Sequence, residues 1–221
     1  MNDKFKQHQV YKNAEGKRVP GVTTITGEGL GWSTGVLCRW NNKKGLEGID
    51  TKKFVDDKAD IGTLAHLMVT NQLQGIKTST DDYSANQIKA ALNSVKSFDK
   101  WAEGKKIEPI LIEKPLVSNI HNFGGTMDIV AKVDGLLELI DLKTGKGIYP
   151  GMLVQVGGGY DILLNEHEHH CDKVMILNIP RADSERFMVH EIEHLDDCKK
   201  AFLNCLSTYP IHKIIKKELA W

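Results

Sequence analysis

The chain has 221 residues, of which 41% are hydrophobic and 26% are charged. This composition is typical of a folded globular protein and excludes a disordered chain or a coiled coil. Lys and Arg together number 29, as do Asp and Glu, so the formal net charge at pH 7 is zero. A neutral protein has no global electrostatic attraction for nucleic acid, so any such interaction must depend on a local site.

The apolar stretches of the sequence are short. None approaches the roughly 18 consecutive apolar residues that a membrane-spanning helix needs, and residues 1–9 contain no apolar segment of the kind found in secretory signals. The sequence therefore predicts a cytoplasmic protein with no membrane partner. In a reducing compartment, cysteines without a Cys-x-x-Cys pair are expected to be free thiols. The four cysteines are Cys38, Cys171, Cys198 and Cys205.

No repeat, low-complexity tract or linker interrupts the chain, which predicts a single domain. Its N-terminal part, residues 1–105, opens with a hairpin within residues 9–19. Residues 33–74 then follow the 3.6-residue period of a helix. A further helical pattern covers residues 84–103, where Ser84 is a suitable N-cap.

The core, residues 106–221, changes to strand-like patterns. The Asp134-Gly135 turn between two apolar runs is a strong hairpin signal, and it predicts adjacent strands at residues 126–133 and 136–142. The other elements predicted for the core are a strand at residues 110–117, a helix at 150–164, strands at 173–179 and 186–193, and a helix at 195–206. This order predicts an α/β or α+β fold with a central mixed β-sheet flanked by helices.

Two carboxylates and a lysine lie close together on the predicted hairpin. Asp128 and Asp141 are each six residues from the turn, so they are near cross-strand neighbours, and Asp141 and Lys143 project to the same face. Adjacent carboxylates repel unless a cation neutralises them, and oxygen ligands suit Mg²⁺ or Mn²⁺. With Lys143 placed to stabilise developing charge, the set suits hydrolysis of a phosphodiester. From the spacing alone, a solvated hairpin face is an equally good interpretation.

Further motifs accompany this hairpin: Gly62-Thr63-Leu64-Ala65-His66 on a predicted helix, Gly125-Thr126-Met127-Asp128, Asp141-Leu142-Lys143-Thr144-Gly145-Lys146, and Gln155 with Tyr160. They run in the order of the PD-(D/E)XK nuclease superfamily, and the sequence resembles its RecB-type exonuclease domains. Residues 19–25 also look like the start of the phage and mitochondrial-type exonucleases of this group. The resemblance implies a restriction-endonuclease-like core and a metal-dependent deoxyribonuclease, in particular an exonuclease of DNA recombination, repair or phage DNA metabolism in a bacterial or phage-infected cell.

The resemblance also implies roles for individual residues. It implies four ligands for Mg²⁺ or Mn²⁺: His66, Asp128, Asp141 and the carbonyl of Leu142. It makes Lys143 the catalytic lysine and places Glu113 where some relatives carry an additional acid. The residues that would support the site or contact DNA are Gln155, Tyr160, Thr63, Thr144 and Lys146.

The sequence departs from the family pattern at two places. Met127 replaces the proline that gives the superfamily its name. Gln155 and Tyr160 are five residues apart where the family usually has four, so on an α-helix Tyr160 would point about 100° away from the expected face. Gly157-Gly158-Gly159 is costly inside an α-helix and predicts a local bulge or a close approach of DNA.

Other motifs indicate different chemistry. His190-Glu191-Ile192-Glu193-His194 matches the zinc-peptidase string, but the residues before it are strand-like, and on a strand the two histidines would lie about 13 Å apart, too far to share a zinc ion. Cys38 and the three C-terminal cysteines match the number found in iron–sulfur relatives, but they lack the tight grouping such a cluster needs.

Two further alternatives are a structure-specific endonuclease and a non-catalytic member of the fold that binds DNA or protein. A recombination protein or a helicase is a conceivable partner.

Overall fold

The computed structural model of the protein describes residues 9–218, so the expectation for the polar N-terminus lies, apart from Gln9, outside the described residues. Within this range, a five-stranded mixed sheet has helices on both faces. The predicted fold class is confirmed, and the architecture is consistent with a restriction-endonuclease-like core. No helix in the described range combines the length and the apolarity needed to cross a membrane.

The N-terminal part forms a small hairpin and four helices. Strands β1 and β2 are Tyr11–Lys12 and Arg18–Val19, and helices α1 to α4 are Val22–Gly29, Thr34–Leu46, Thr51–Leu73 and Ala85–Ala102. The sequence pattern missed α1, which is only eight residues long. The predicted hairpin is confirmed, and Ser84 caps α4 as predicted, through a capping box with Gln87.

The helical pattern predicted over residues 33–74 is present as two helices, α2 and α3, with a short break between them that the sequence pattern did not show. Gly48 has a φ of 73°, a left-handed conformation that glycine adopts without steric cost, and it ends the first helix. Asp50 then starts the second helix, since its side chain accepts a hydrogen bond of 3.0 Å from the backbone N–H of Lys53.

The sheet has the order β3-β4-β5-β6-β7, and the strands are Ile107–Ser118, Phe123–Val133, Leu136–Lys143, Lys173–Asn178 and Met188–Glu191. The Asp134-Gly135 hairpin is confirmed, with Val133 paired to Leu136 at the turn. The pairing of β5 with β6 is parallel and the other pairings are antiparallel. Between β5 and β6 lie α5 (Pro150–Leu153), a π-helix (Val154–Tyr160) and α6 (Asp161–Glu166), and the described chain ends with α7 (Leu195–Glu218).

Each face of the sheet is covered by its own helices. Helices α1 and α7 and the π-helix pack on one face, here called the α7 face, where Phe123, Leu139 and Phe202 are fully buried. Helices α3 and α4 cover the opposite α3 face, where Phe98 and Ile129 are fully buried. Full burial of a side chain of this size contributes about 1.5–3 kcal/mol, so two apolar layers hold the sheet between them.

The helix predicted for residues 150–164 changes its winding along its length. Its centre is a π-helix, in which hydrogen bonds join residues five apart instead of four. Tyr160 therefore does not point away from Gln155, as α-helical geometry had predicted, and Gln155 Nε2 donates a hydrogen bond of 2.8 Å to the Tyr160 hydroxyl. The local bulge predicted at the three glycines is confirmed.

The glycines of the π-helix allow two other helices to lie directly against its backbone. A Cβ atom at Gly158 would stand 2.6 Å from the carbonyl oxygen of Cys198 in α7, and one at Gly159 would stand 2.5 Å from Cγ1 of Val22 in α1. The predicted alternative, that the glycines allow a close approach of DNA, is therefore replaced by helix packing.

Helix α7 begins at Leu195 as predicted and extends well beyond the predicted end at residue 206. Its first half buries Cys198, Phe202 and Cys205. The second half contains Pro210, which cannot donate a backbone hydrogen bond, and none of residues 206–218 is buried.

The close helix packing at Gly158 predicts the cost of adding one methyl group. Gly158→Ala places that group against the backbone of α7, and overpacking of this kind costs about 1–3 kcal/mol in free energy of unfolding. Urea denaturation measures the change. Gly45→Ala in α2 is the matched control, because its new Cβ meets no atom within 4 Å. Equal stability of the two variants would contradict the packing.

Candidate active site

Strands β3 and β4 depart from regular strand geometry at the same level of the sheet. Met127 is buried on the α7 face, whereas Ile129, two residues later, is buried on the α3 face. Residues two apart on a regular strand share a face, so the alternation of β4 reverses at Asp128. The neighbouring strand β3 is irregular at the same level, because Glu113 has a φ of 48° and the pairing skips it and Asp128. Two acidic residues therefore stand side by side where the strands depart from regular geometry.

Strands β4 and β5 also separate at this level. Their backbone pairing ends at Ile129 and Ile140, one pair before Asp128 would meet Asp141. In its place, the backbone N–H of Leu142 donates a hydrogen bond of 2.7 Å to Oδ2 of Asp128. The carboxylate of Asp128 thus takes the position of a strand partner and is fixed by the backbone of β5.

Helix α3 brings a histidine to this carboxylate. Nδ1 of His66 lies 3.4 Å from Oδ2 of Asp128, and His66, Glu113 and Asp128 each offer a ligand atom within 4.8 Å of the other two. Gly62, one turn earlier on α3, allows the approach, since a Cβ there would stand 2.7 Å from Oγ1 of Thr144 in the loop after β5. The Gly-Thr-Leu-Ala-His motif therefore combines a packing glycine with a site histidine.

Asp141 and Lys143 form an ion pair beside this group. Nζ of Lys143 is 2.5 Å from Oδ2 of Asp141, whose side chain is 2% exposed. Besides Lys143, no donor among residues 9–218 reaches this oxygen. Asp141 does not belong to the close group of three, whereas Glu113, which the resemblance implied only as an additional acid, does.

Burial and mutual repulsion shift the pKa values of two of the acids upward. Burial raises the pKa of Asp141 to about 6, with the Lys143 ammonium opposing the rise and the charge of Asp128 adding to it. Burial together with the charge of Asp128 raises the pKa of Glu113 to about 8. The site without a metal therefore favours a proton on Glu113 at neutral pH.

The remaining groups favour their charged forms. Burial opposes ionisation of Asp128, but His66, Lys143 and the backbone N–H of Leu142 together outweigh it and lower the pKa of this acid. Burial likewise opposes the imidazolium form of His66, yet Asp128 raises the histidine pKa. The pKa of Lys143 is raised because Asp141 and Asp128 outweigh its burial. Lys143 is consequently an ammonium at neutral pH.

Two tyrosines pack on opposite sides of β4 next to the acids. A Cβ at Gly124 would overlap the ring of Tyr11, and one at Gly125 would stand 2.8 Å from the ring of Tyr160. The Tyr11 hydroxyl is 2.9 Å from Oγ1 of Thr126. The paired glycines of the motif thus leave room for both rings. Sequence reasoning missed Tyr11, since its place in the site depends on a contact between the N-terminal hairpin and β4.

All these side chains line one open cleft of about 1270 Å³. Gln155, Thr63 and Thr144 also line it, while Lys146 is exposed and lies outside the lining. The acids in the lining are the three of the site. The cations of the lining, apart from Lys143, are Arg18, Lys58, Arg181 and Lys213. Sequence reasoning did not single these out as a set, because they come from four separate parts of the chain.

The competing motifs lie elsewhere. His190 is in the exposed strand β7, and α7 begins only after His194. Cys198 and Cys205 are buried in the core of the α7 face, and Cys38 is exposed on α2. Within residues 9–218, the group of His66, Glu113 and Asp128 is the one set of three side chains placed to share a metal ion.

Comparison with known proteins gives remote structural likenesses. No family model matches the sequence, and no curated protein matches it. A Eubacterium rectale protein assigned as an exonuclease is similar over 69% of this chain and 65% of its own length, with 10% identity and a TM-score of 0.43. An alkaline exonuclease from Laribacter hongkongensis is similar over 71% of this chain and 83% of its own, with 13% identity and a TM-score of 0.35. The function must therefore be argued from the site itself.

The raised pKa of Glu113 predicts how stability depends on pH when metal is absent. Between the ordinary carboxyl value of 4.5 and about 8, the folded state binds more protons at this group than the unfolded state. The free energy of unfolding in EDTA is therefore expected to fall as the pH rises through this window. Glu113→Gln, which cannot ionise, should flatten that slope in urea denaturation, while Glu193→Gln at an exposed position should keep it. An unchanged slope in Glu113→Gln would contradict the assignment.

Proposed function

We propose that this protein is a divalent-metal-dependent deoxyribonuclease, and specifically an exonuclease that hydrolyses phosphodiester bonds from DNA ends. One observation carries the proposal. The three-residue group of His66, Glu113 and Asp128 and the ion pair of Asp141 with Lys143 line the same open cleft. Acids that hold a cation, beside a lysine that remains charged, are what hydrolysis of an anionic diester requires.

The donor set fits a small divalent ion. Ligands at about 2.0–2.1 Å from Mg²⁺ lie at most about 4 Å apart, and the three donors need only a small contraction from 4.8 Å to reach that geometry. Two carboxylates with one imidazole suit Mg²⁺ and favour Mn²⁺ somewhat more. Asp141 and the carbonyl of Leu142 are proposed as additional ligands. A bound ion would polarise the scissile phosphate and neutralise charge that builds up on it.

The residues of the chain have distinct tasks in this proposal. The neighbouring acids raise the pKa of Lys143 in the protein without metal, so we assign it as a hydrogen-bond donor to a phosphate oxygen and not as a base that takes a proton from water. Asp141 holds the Lys143 ammonium in place through the 2.5 Å ion pair. Gln155 and Tyr160 support this face of the cleft through their mutual hydrogen bond.

An exonuclease is favoured over an endonuclease because the described residues form the sheet with its helices and add no separate sequence-reading module. A cellular role in recombination, repair or phage DNA metabolism, in the cytoplasm and alongside a helicase or recombination protein, belongs to the same proposal. The alternatives are a structure-specific endonuclease and a binding protein that has kept the fold.

Cleavage of labelled linear and circular DNA with Mg²⁺ or Mn²⁺ tests the reaction. Removing an electrostatic donor of this kind typically costs about 10²–10³-fold in rate, so we expect losses of that size for Asp141→Asn and Lys143→Ala, and complete loss in EDTA. Lys96→Ala, an exposed lysine on α4, is the control and should keep full activity. Equal cleavage by all variants would reject the site, and cleavage of covalently closed circles would reject the exonuclease.

Metal preference tests His66 separately. His66→Ala removes the nitrogen donor and leaves the carboxylates, so we expect weaker Mn²⁺ binding, by about 10-fold or more in calorimetric titration, and a smaller advantage of Mn²⁺ over Mg²⁺ in cleavage. Unchanged Mn²⁺ affinity together with full activity would show that His66 is not a ligand.

A further inference from the structure

Helix α2 differs from the other long helices because the core does not hold it. None of its 13 residues is buried. Large apolar side chains stand in solvent on it and just before it: Trp32 is 59% exposed, Val36 61% and Leu37 53%. A surface helix normally buries one apolar face, so the face that α2 presents lacks a partner within the described part of the chain.

The charges on α2 indicate which kind of partner fits its exposed surface. The helix carries Arg39, Lys43 and Lys44 and has no acidic residue. Lys44 is held by Glu47 at 2.5 Å, whereas Arg39 and Lys43 are exposed and have no ion pair within residues 9–218. A surface with free cations and exposed apolar side chains complements a polyanion that also carries apolar faces. Unpaired bases on a phosphate backbone have both properties.

The α2 surface is continuous with the cleft. The ring of Trp40 lies 6.0 Å from that of Phe54 at the start of α3, and Nζ of Lys58 lies 5.5 Å from the same ring. From there one face of α3 forms the cleft wall, through Val55, Lys58, Ala59, Gly62, Thr63 and His66. These residues recur three or four apart, and the face extends about 16 Å from its first residue to the site histidine.

We propose that α2 and this face of α3 bind a single strand of DNA and lead it to the carboxylates. The bases contact the apolar side chains of α2, and the phosphates contact Arg39, Lys43 and Lys58. A duplex fits this surface poorly, since its bases are stacked on each other and do not offer free faces. The direction of the strand toward the acids rests on the proposed nuclease function; the binding surface itself does not.

Binding of oligothymidylate and of a blunt hairpin duplex, in EDTA at low salt, tests the surface. Trp32→Ala with Val36→Ala is expected to weaken single-strand binding about tenfold and to change duplex binding less than twofold. Arg39→Ala with Lys43→Ala should reduce the slope of log affinity against log salt by about 1.4, the contribution of two phosphate contacts to a single strand.

Matched controls keep the test specific. Ile120→Ala removes an apolar side chain that is 73% exposed, and Lys96→Ala with Lys100→Ala removes two exposed cations of α4, all outside the cleft lining. These variants should bind the single strand as the parent protein does. Because the α2 positions are exposed, all variants should retain the parent far-ultraviolet dichroism and melting temperature.

A small chromogenic phosphodiester separates this proposal from the nuclease proposal. It needs the metal site but not the strand surface, so in Mn²⁺ the α2 variants should hydrolyse it at the parent rate. If the parent protein cleaves neither this diester nor linear DNA, the reaction is rejected, while the binding result still decides the surface. Equal losses of single-strand and duplex affinity would overturn the single-strand proposal. Unchanged DNA affinity, with a changed sedimentation coefficient in the α2 variants, would instead assign the surface to a second copy of the chain.

Discussion

The site depends on the balance of charge around three carboxylates in one cleft. Without metal, burial and the charge of Asp128 raise the pKa of Glu113 to about 8, and Asp128 raises the pKa of His66 against the effect of burial, so both groups hold a proton more tightly than usual. A divalent ion bound by His66 and Glu113, as proposed, would need both side chains in their deprotonated forms. In the proposal, metal and protons would therefore compete for the same side chains, and the charge of the ion would compensate the buried acids when the protons leave.

The backbone of three strands departs from regular geometry where the acids of the site lie. A left-handed residue in β3, the reversed alternation at Asp128 in β4 and the early end of the β4–β5 pairing occur at one level of the sheet. Each irregularity removes hydrogen bonds or strains a residue, and such features persist where the surrounding structure holds them. Here the apolar layers on the two faces supply that support, so the acids of β3, β4 and β5 are held in one cleft at this level of the sheet.

The sequence predicts local features well and long-range contacts poorly. The Asp134-Gly135 turn is enough to place Asp128 beside Asp141, because pairing outward from a tight turn is fixed by counting. The turn does not predict that Glu113 lies beside Asp128, because that contact depends on an unusual backbone angle in another strand. It also misses the contact of Tyr11 with Gly124, because more than a hundred residues separate them. The five-residue spacing of Gln155 and Tyr160 was a visible signal, and a π-helix explains it.

A chain with no net charge can still attract a polyanion if its charges are unevenly placed. The cleft gathers four cations besides Lys143, while its acids are confined to the three that a divalent ion would neutralise. Two of these cations are paired, Lys58 with Asp57 and Arg181 with Glu185, so the free positive charge is smaller than the count suggests. Arg39 and Lys43 on α2 extend the cationic surface beyond the cleft. In the proposed function, attraction of DNA by such a surface would be local and sensitive to salt, and it would be strongest when a bound metal compensates the negative charge of the acids.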